Sequence, residues 1–237
     1  MAENSLIQTF KQMRATRSLS DAALRALADV SLVKNMSSGQ ALWKMGDPGE
    51  FVAVVVGGCF EVNRLSSAGT EFCVALFGPS DVLGMIAVAQ KKNYPGTARA
   101  FSKKAEVIKM YLRPVISRKD QPLALEISEW LREMILMHEQ ILRDKIDIMS
   151  AGRTEQKVFE LLLQLNRRFG LKTSRIASTI PLTISKVQVS RLVEARVETV
   201  IRLFSRWKKK HLVNFDRTGI QILDWEELEK HIEPDRT

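Results

Sequence analysis

Glu198 and Arg202 stand four residues apart inside the most basic stretch of the chain, EARVETVIRLFSRWKKKHLV, residues 194–213. At about 100° per residue the run 197–209 splits into two faces. Val200, Leu203, Phe204 and Trp207 share one, and Glu198, Arg202, Ser205 and Lys209 share the other. One reading of the second face is a surface ion pair at helical spacing, worth a few tenths of a kcal/mol. The other is base recognition. In a DNA major groove the exposed base donors are amino groups of cytosine and adenine, which a carboxylate accepts, while guanine O6 and N7 take a guanidinium as a fork. A Glu and an Arg on one outward row can therefore read a C·G pair and its neighbour. Arg196, Arg206 and Lys208 around that row would hold phosphates without reading sequence, and Thr199 completes the candidate set. Between residues 186 and 217 nine Lys and Arg, Arg217 among them, oppose three acids, a net of +6.

Such a helix must be mounted. Residues 185–193 and 196–208 read as two helices joined by a tight turn, followed by the hairpin LVNFDRTGIQIL with Gly219 near its tip. Asp224 with Glu227 three residues on forms a capping box for a last helix. Upstream, EQKVFELLLQLNRRFG is a helix ended by Gly170 in the C′ role. Helix, helix-turn-helix and hairpin are the order of a winged helix domain.

The remainder changes texture twice. After the cap candidate Ser20, residues 19–33 carry Leu and Ala at helical spacing. From about 40 to 112 come short β-rich runs, ALW, FVAVVV, CFEVNRL, EFCVALF, TARAF and EVIKMYL, between Gly, Pro, Ser and Asp clusters. These predict an all-β jelly roll. Residues 123–149 contain no helix breaker, and Ile127, Met134, Ile141 and Ile148 recur every seven residues with Leu131 between the first two. A heptad stripe predicts a two-stranded seam between subunits; the competing reading packs this helix on its own β domain, with Leu125, Trp130 and Met137 off the seam. The fold class is α+β: a β-roll over 1–118 with an N-terminal helix, a dimerisation helix over 119–150 and a winged helix-turn-helix over 151–237.

Composition sets limits. The chain of 237 residues is 45% hydrophobic, 27% charged and carries +9, which describes a globular protein whose charge invites nucleic acid or an anionic membrane as partner, a solvated basic surface being the alternative. No apolar run approaches the roughly 20 residues of a spanning helix, and MAENSLIQTFKQMRATRS lacks an export signal, so a cytoplasmic protein with no membrane partner is expected. Cys59 and Cys73 are too few for a disulfide framework or an iron–sulfur set, and His138, His211 and His231 show no ligand spacing, so no metal and no cofactor are expected. Paired carboxylates in a Gly-rich cleft, an activated nucleophile and a P-loop are all missing, which argues against an enzyme.

The stretch LTISKVQVSRLVEARVETVIRLFSRWKKKHLV resembles the winged helix-turn-helix of the bacterial family that includes the cyclic AMP receptor protein and the fumarate and nitrate reduction regulator (CRP/FNR), Val197 to Arg202 matching its V-E-T-V-x-R core. LWKMGDPGEFVAVVVGGCFEV, GPSDVLGMIAV and YPGTARA stand where that family's cyclic-nucleotide-binding-like β-roll has its glycine-marked turns, and residues 123–149 where it has its dimer helix. The resemblance implies a homodimeric transcription regulator that binds double-stranded DNA and works with RNA polymerase. It implies that Glu198 and Arg202 contact bases and, from Val197, that the half-site is closer to TTGAT than to TGTGA. Two departures stand out: Glu194 replaces the turn Gly, which suggests a reshaped turn, and Lys210-His211 replaces the Gly before the wing.

By the same resemblance the effector pocket would involve Gly84, Met85, Thr97, Ala98, Arg99, Leu142 and Arg143. Members that bind cyclic AMP carry a Glu where this chain has Met85, and an Arg ahead of Ser/Thr-Ala where it has Pro95-Gly96. Cyclic AMP is therefore not the expected effector, although Arg99, Lys91 and Lys92 could serve another anion. The competing reading of the whole chain is a nucleotide-binding module that acts through protein partners, its basic end only solubilising.

Overall fold

The computed structural model describes residues 2–67, 69, 71–117, 121–216 and 219–232, so the expected boundary at 118/119 and Arg217 lie outside the described residues. The chain divides into two compact units, Met1–Leu142 and Arg143–Thr237.

The first unit opens with α1 (Ala2–Gln12) and α2 (Asp21–Asp29). Ser20 caps α2, its hydroxyl accepting from Ala23 N at 3.1 Å. The helix expected over 19–33 is shorter because residues 31–33 enter β1 (Ser31–Ser37), and α1 was not expected. β2 (Ala41–Trp43), β3 (Val52–Gly57), β4 (Phe60–Leu65), β5 (Glu71–Phe77), β6 (Val82–Leu83), β7 (Thr97–Ala100) and β8 (Lys104–Met110) follow, with α3 (Met85–Gln90) between β6 and β7 and α4 (Arg113–Ile116) after β8. Two antiparallel sheets, β1-β8-β3-β6 and β2-β7-β4-β5, make the β-roll. The expected strands are present within two residues of their limits. β1 and β6 were missed: β1 exposes most of its residues and β6 is only two residues long.

The run FVAVVV is apolar throughout because β3 is covered on both faces. Ala53 and Val55 point into the sandwich with Phe60, Phe77 and Leu83. Val52 and Val54 point the other way, into a second core shared with α1, α2 and α5 (Gln121–Ser150). A strand buried on both faces loses the period-two alternation.

The heptad stripe of α5 fills that second core. Ile127, Leu131 and Met134 are 0%, 6% and 5% exposed, and Trp130 joins them. Trp130 Nε1 donates to Ala15 O at 2.6 Å, and the Glu126 carboxylate accepts from Ser20 N at 2.7 Å and from its hydroxyl at 2.8 Å. Ile141 packs on the sandwich core, and Ile148, in the second unit, is buried. Of the expected seam residues, Ile127, Leu131, Met134 and Ile141 thus pack within the first unit, as the competing reading of the helix has it, and Ile148 is buried in the second. The reason is geometric: a seven-residue repeat marks any face buried along a straight helix, whichever surface covers it. Exposed instead are Leu125, Leu136, Met137 and, in the second unit, Ile146.

The second unit contains the end of α5, α6 (Thr154–Phe169), β9 (Leu171–Lys172), β10 (Ser178–Ile180), α7 (Lys186–Leu192), α8 (Val197–Lys209), the hairpin β11 (Val213–Phe215) and β12 (Ile220–Ile222), and α9 (Trp225–Lys230). Its sheet order is β11-β12-β10-β9. Asp224 caps α9, accepting from Glu227 N at 2.9 Å. Gly170 follows α6 in extended backbone, φ −65°, not in the left-handed C′ conformation. It is small for another reason: a Cβ there would run into Asn166 O.

Candidate nucleic-acid interface and effector pocket

Helix α8 takes its orientation from one buried face. Val200, Leu203, Phe204 and Trp207 are 0%, 5%, 1% and 0% exposed. Phe204 meets Trp207 edge-on at 5.5 Å and Phe215 of the hairpin at 4.6 Å. Trp207 Nε1 donates to Glu155 Oε1 of α6 at 3.2 Å, and the same carboxylate pairs with Arg206 at 2.6 Å. Glu155 therefore fixes α8 in place, and nothing in the sequence beyond its position in the first turn of α6 marks it.

With that face down, Glu198, Arg202, Ser205 and Lys209 are exposed, as are Arg196, Arg206 and Lys208, while Thr199 is half-buried. Among the described residues no ion pair joins Glu198 to Arg202, so the surface-pair reading finds no contact here. Arg206, exposed as well, also holds Glu155 through its guanidinium.

Helix α7 precedes α8 and is closed by a capping box, Ser185 and Gln188 exchanging bonds at 3.2 and 2.9 Å. In the turn between the helices Glu194 has φ 52°, and after α8 His211 has φ 56°. A non-glycine residue thus takes the left-handed conformation at each place, at a cost of about 1 kcal/mol. Lys145, from the end of α5, supports the first: its ammonium donates to Leu192 O at 2.7 Å and lies 3.3 Å from Glu194 Oε1. A charged donor on a partly buried carbonyl contributes about 1.5–3 kcal/mol, whereas a half-exposed ion pair contributes under about 1 kcal/mol. We expect Lys145→Met to lower the stability of the second unit by about 1–3 kcal/mol in thermal unfolding. Glu194→Gly should change it by less than about 1 kcal/mol, since relief of the backbone offsets loss of the pair. Equal losses in the two variants would mean that the ion pair outweighs the backbone conformation.

In the first unit a cleft encloses about 420 Å³, part of it open to solvent. Strands supply Trp43, Val62 and Phe77; Gly84 and α3 supply Met85, Ile86 and Ala87; the following loop supplies Tyr94, Pro95 and Gly96; α5 supplies His138. Trp43 stacks on Tyr94 at 4.1 Å and 11°, and His138 stacks on Phe77 at 5.2 Å and 20°. Gly84, at φ 84°, is required on two counts, because a Cβ would also stand 3.2 Å from Tyr94 Cε1 and 3.3 Å from Trp43 Cη2.

Of the residues expected at an effector pocket, Gly84 and Met85 line this cleft; Thr97, Ala98, Arg99, Leu142 and Arg143 do not. Strand alternation explains Thr97 and Arg99. Ala98 and Ala100 face the sandwich core, which puts Thr97 and Arg99 on the opposite side of β7. Arg99 there holds Glu71 by two bonds of 2.8 and 3.0 Å, and Thr97 Oγ1 accepts from Met45 N at 3.0 Å. Lys91 and Lys92 are exposed beyond α3 and also lie outside the lining. Trp43, Phe77, Tyr94 and His138 were missed; only their aromatic type within the glycine-marked segments hinted at them.

Two domain families match this chain, the cyclic nucleotide-binding domain over residues 33–113 and the Crp-like helix-turn-helix domain over residues 156–231. The chain belongs to the CRP/FNR family. It is similar to the transcriptional activator protein Anr of Pseudomonas protegens, 24% identical over 192 residues that cover 80% of this chain and 75% of Anr. It is similar also to a CRP-like cAMP-activated global transcriptional regulator of Mycobacterium tuberculosis, 22% identical over 212 residues, 87% of this chain and 90% of that protein. Among solved structures, FixK2 from Bradyrhizobium japonicum shares the fold with a TM-score of 0.69 at 18% identity, covering 88% of this chain and all 100% of FixK2. A CRP/FNR regulator is a transcription factor and not an enzyme, with the nucleotide-binding-type domain first and the DNA-binding domain second. Among the described residues no helix is long and apolar enough to cross a membrane, and no group of three His, Cys, Asp or Glu is placed to hold a metal ion. Cys59 and Cys73 are buried.

Proposed function

We propose that this CRP/FNR regulator is a homodimer that reads a two-fold symmetric DNA site through Glu198 and Arg202. The observation that carries the reading is the division of α8: its apolar residues are buried, and a carboxylate and a guanidinium one turn apart are exposed on the opposite face. Arg196, Lys208 and Lys209 contribute phosphate affinity, and Thr199 and Ser205 flank the base-reading pair. The preferred half-site is TTGAT-like, as the resemblance at Val197 implies, and RNA polymerase is the protein partner that a regulator so placed on DNA would meet.

The second copy docks on the outward face of α5. Leu125 and Leu136 are 61% and 62% exposed, and eleven residues of helix separate them by only about 20° around the axis. Met137 and, in the second unit, Ile146 are exposed on the same helix. Large apolar side chains aligned on one exposed helix face mark an interaction surface.

Selection from random duplex DNA by the purified protein tests the whole reading. The expected result is enrichment of paired TTGAT-like half-sites in opposite orientation, their centres about 10–10.5 base pairs or a multiple apart. Binding that falls steeply with salt yet enriches no sequence would show a surface that only attracts polyanions. It would favour a module acting through protein partners.

A further inference from the structure

We propose that the cleft of the first unit takes an uncharged, largely aromatic small molecule, and that this is the ligand class to which the regulator responds. The inference rests on the sensor reading of that unit and adds the chemistry of its ligand.

Its lining excludes an anion. Among the described residues no Lys, Arg, Asp or Glu contributes to it. Arg99, the cationic residue nearest in sequence to the cleft's Gly96, is on the other side of its strand and bound twice by Glu71. A phosphate or carboxylate entering here would lose its water without gaining a cation. Met85 offers a ribose hydroxyl only a thioether, a weak acceptor. The polar atoms on the aromatic wall are already committed. Trp43 Nε1 donates to Gly96 O at 3.0 Å, and the Tyr94 hydroxyl donates to Phe51 O at 2.6 Å and accepts from Phe51 N at 3.3 Å. Burial pushes the Tyr94 phenol up to about 12, so it remains a donor to that carbonyl and does not become an anion itself. His138 is the remaining polar side chain, and its ring lies against Phe77.

The same lining suits a ring. Trp43, Phe77, Tyr94 and His138 present aromatic surfaces, and the sulfur of Met85 adds a polarisable contact. Ile86, half-buried on α3, shares the lining.

The experiment is calorimetric titration of the full chain with 1-naphthol, with 1-naphthoate, which has the same ring system and one negative charge, and with cyclic AMP. Saturable 1:1 binding of naphthol is expected, at least tenfold tighter than naphthoate or cyclic AMP. The naphthoate arm is run at about pH 6 and about pH 8, on either side of the ordinary histidine range, so that a charged His138 cannot go unnoticed. Two variants place the site. Ile86→Trp fills the cleft and should weaken naphthol at least tenfold. Ile86→Arg adds a cation at a half-buried position and should reverse the preference toward naphthoate. Unchanged circular dichroism and melting establish that each variant is folded. Binding of naphthoate or cyclic AMP as tight as naphthol, no naphthol binding up to millimolar concentration, or naphthol binding untouched in both folded variants would overturn the proposal. DNA selection without ligand is scored separately, so loss of sequence recognition by α8 would count against the regulator reading and leave the titration standing.

Discussion

Met134→Glu is expected to unfold the first unit, whereas Leu136→Glu should leave it folded and convert the proposed dimer to a monomer. The two positions are neighbours on α5 with opposite surroundings. Met134 is 5% exposed, in a core with Trp130, Leu131 and Ile127. Replacing it removes packing worth about 2–5 kcal/mol and forces a carboxyl into apolar surroundings, a further cost of at least about 1–3 kcal/mol even when it is protonated. The sum is on the order of 4–5 kcal/mol or more, out of the roughly 5–15 kcal/mol that typically holds a domain folded. Leu136 is 62% exposed, and a surface change of this kind alters folding by about 0.5 kcal/mol or less. In a two-fold dimer, however, each new charge would face the partner's apolar surface. Sedimentation velocity and thermal unfolding separate the effects. A folded, monomeric Met134→Glu protein would return the seam to the heptad stripe, and a Leu136→Glu protein that remains dimeric would move it off the outward face.

The second large effect concerns DNA. Arg202→Ala should lower affinity for the preferred site by about 1–3 kcal/mol, roughly 5- to 150-fold, because a forked contact to guanine is lost. Glu198→Ala should relax discrimination at one base pair by a similar amount and leave nonspecific binding equal or tighter, since the carboxylate repels phosphate. Lys208→Ala should weaken all duplexes alike and reduce the salt slope by about one unit. Arg206→Ala is expected to differ from all three: its guanidinium is held by Glu155 at 2.6 Å, so the loss should appear first as lower stability of the second unit. Competition binding against duplexes changed at each half-site position reads these patterns. An even loss on every duplex from Glu198→Ala, with preferences intact, would rule out base reading by that side chain.

The partition of α8 was legible because a period of 3.6 and a single buried face leave little ambiguity once Val200, Leu203, Phe204 and Trp207 are aligned. The strands of the β-roll were legible for the same kind of reason, short apolar runs bounded by turn residues. On α5 the period was right and the partner surface was not. Ile127 and Met134 look identical in sequence whether a strand or a second helix covers them, and only the fold showed Val52 and Val54 beneath that stripe. The pocket was least legible. Of the residues given by analogy Gly84 and Met85 line the cleft, but strand parity turned Arg99 outward, and Trp43 and His138 come from segments 95 residues apart that no local pattern connects. Glu155 and Lys145 were invisible for a related reason: each acts through two long-range contacts, Glu155 on Arg206 and Trp207, Lys145 on Leu192 and Glu194.

The two left-handed residues that bracket α8, Glu194 and His211, also act on the unfolded chain. A glycine at either place would widen the range of backbone conformations that must be given up on folding, whereas a residue with a Cβ narrows it. Some of the cost of holding a side chain at positive φ is thus returned as a smaller entropy of the denatured ensemble. The tolerance of these sites to replacement should follow from that balance: asparagine and glycine accepted at both, valine and isoleucine at neither, because a branched Cβ cannot enter the left-handed region without strain.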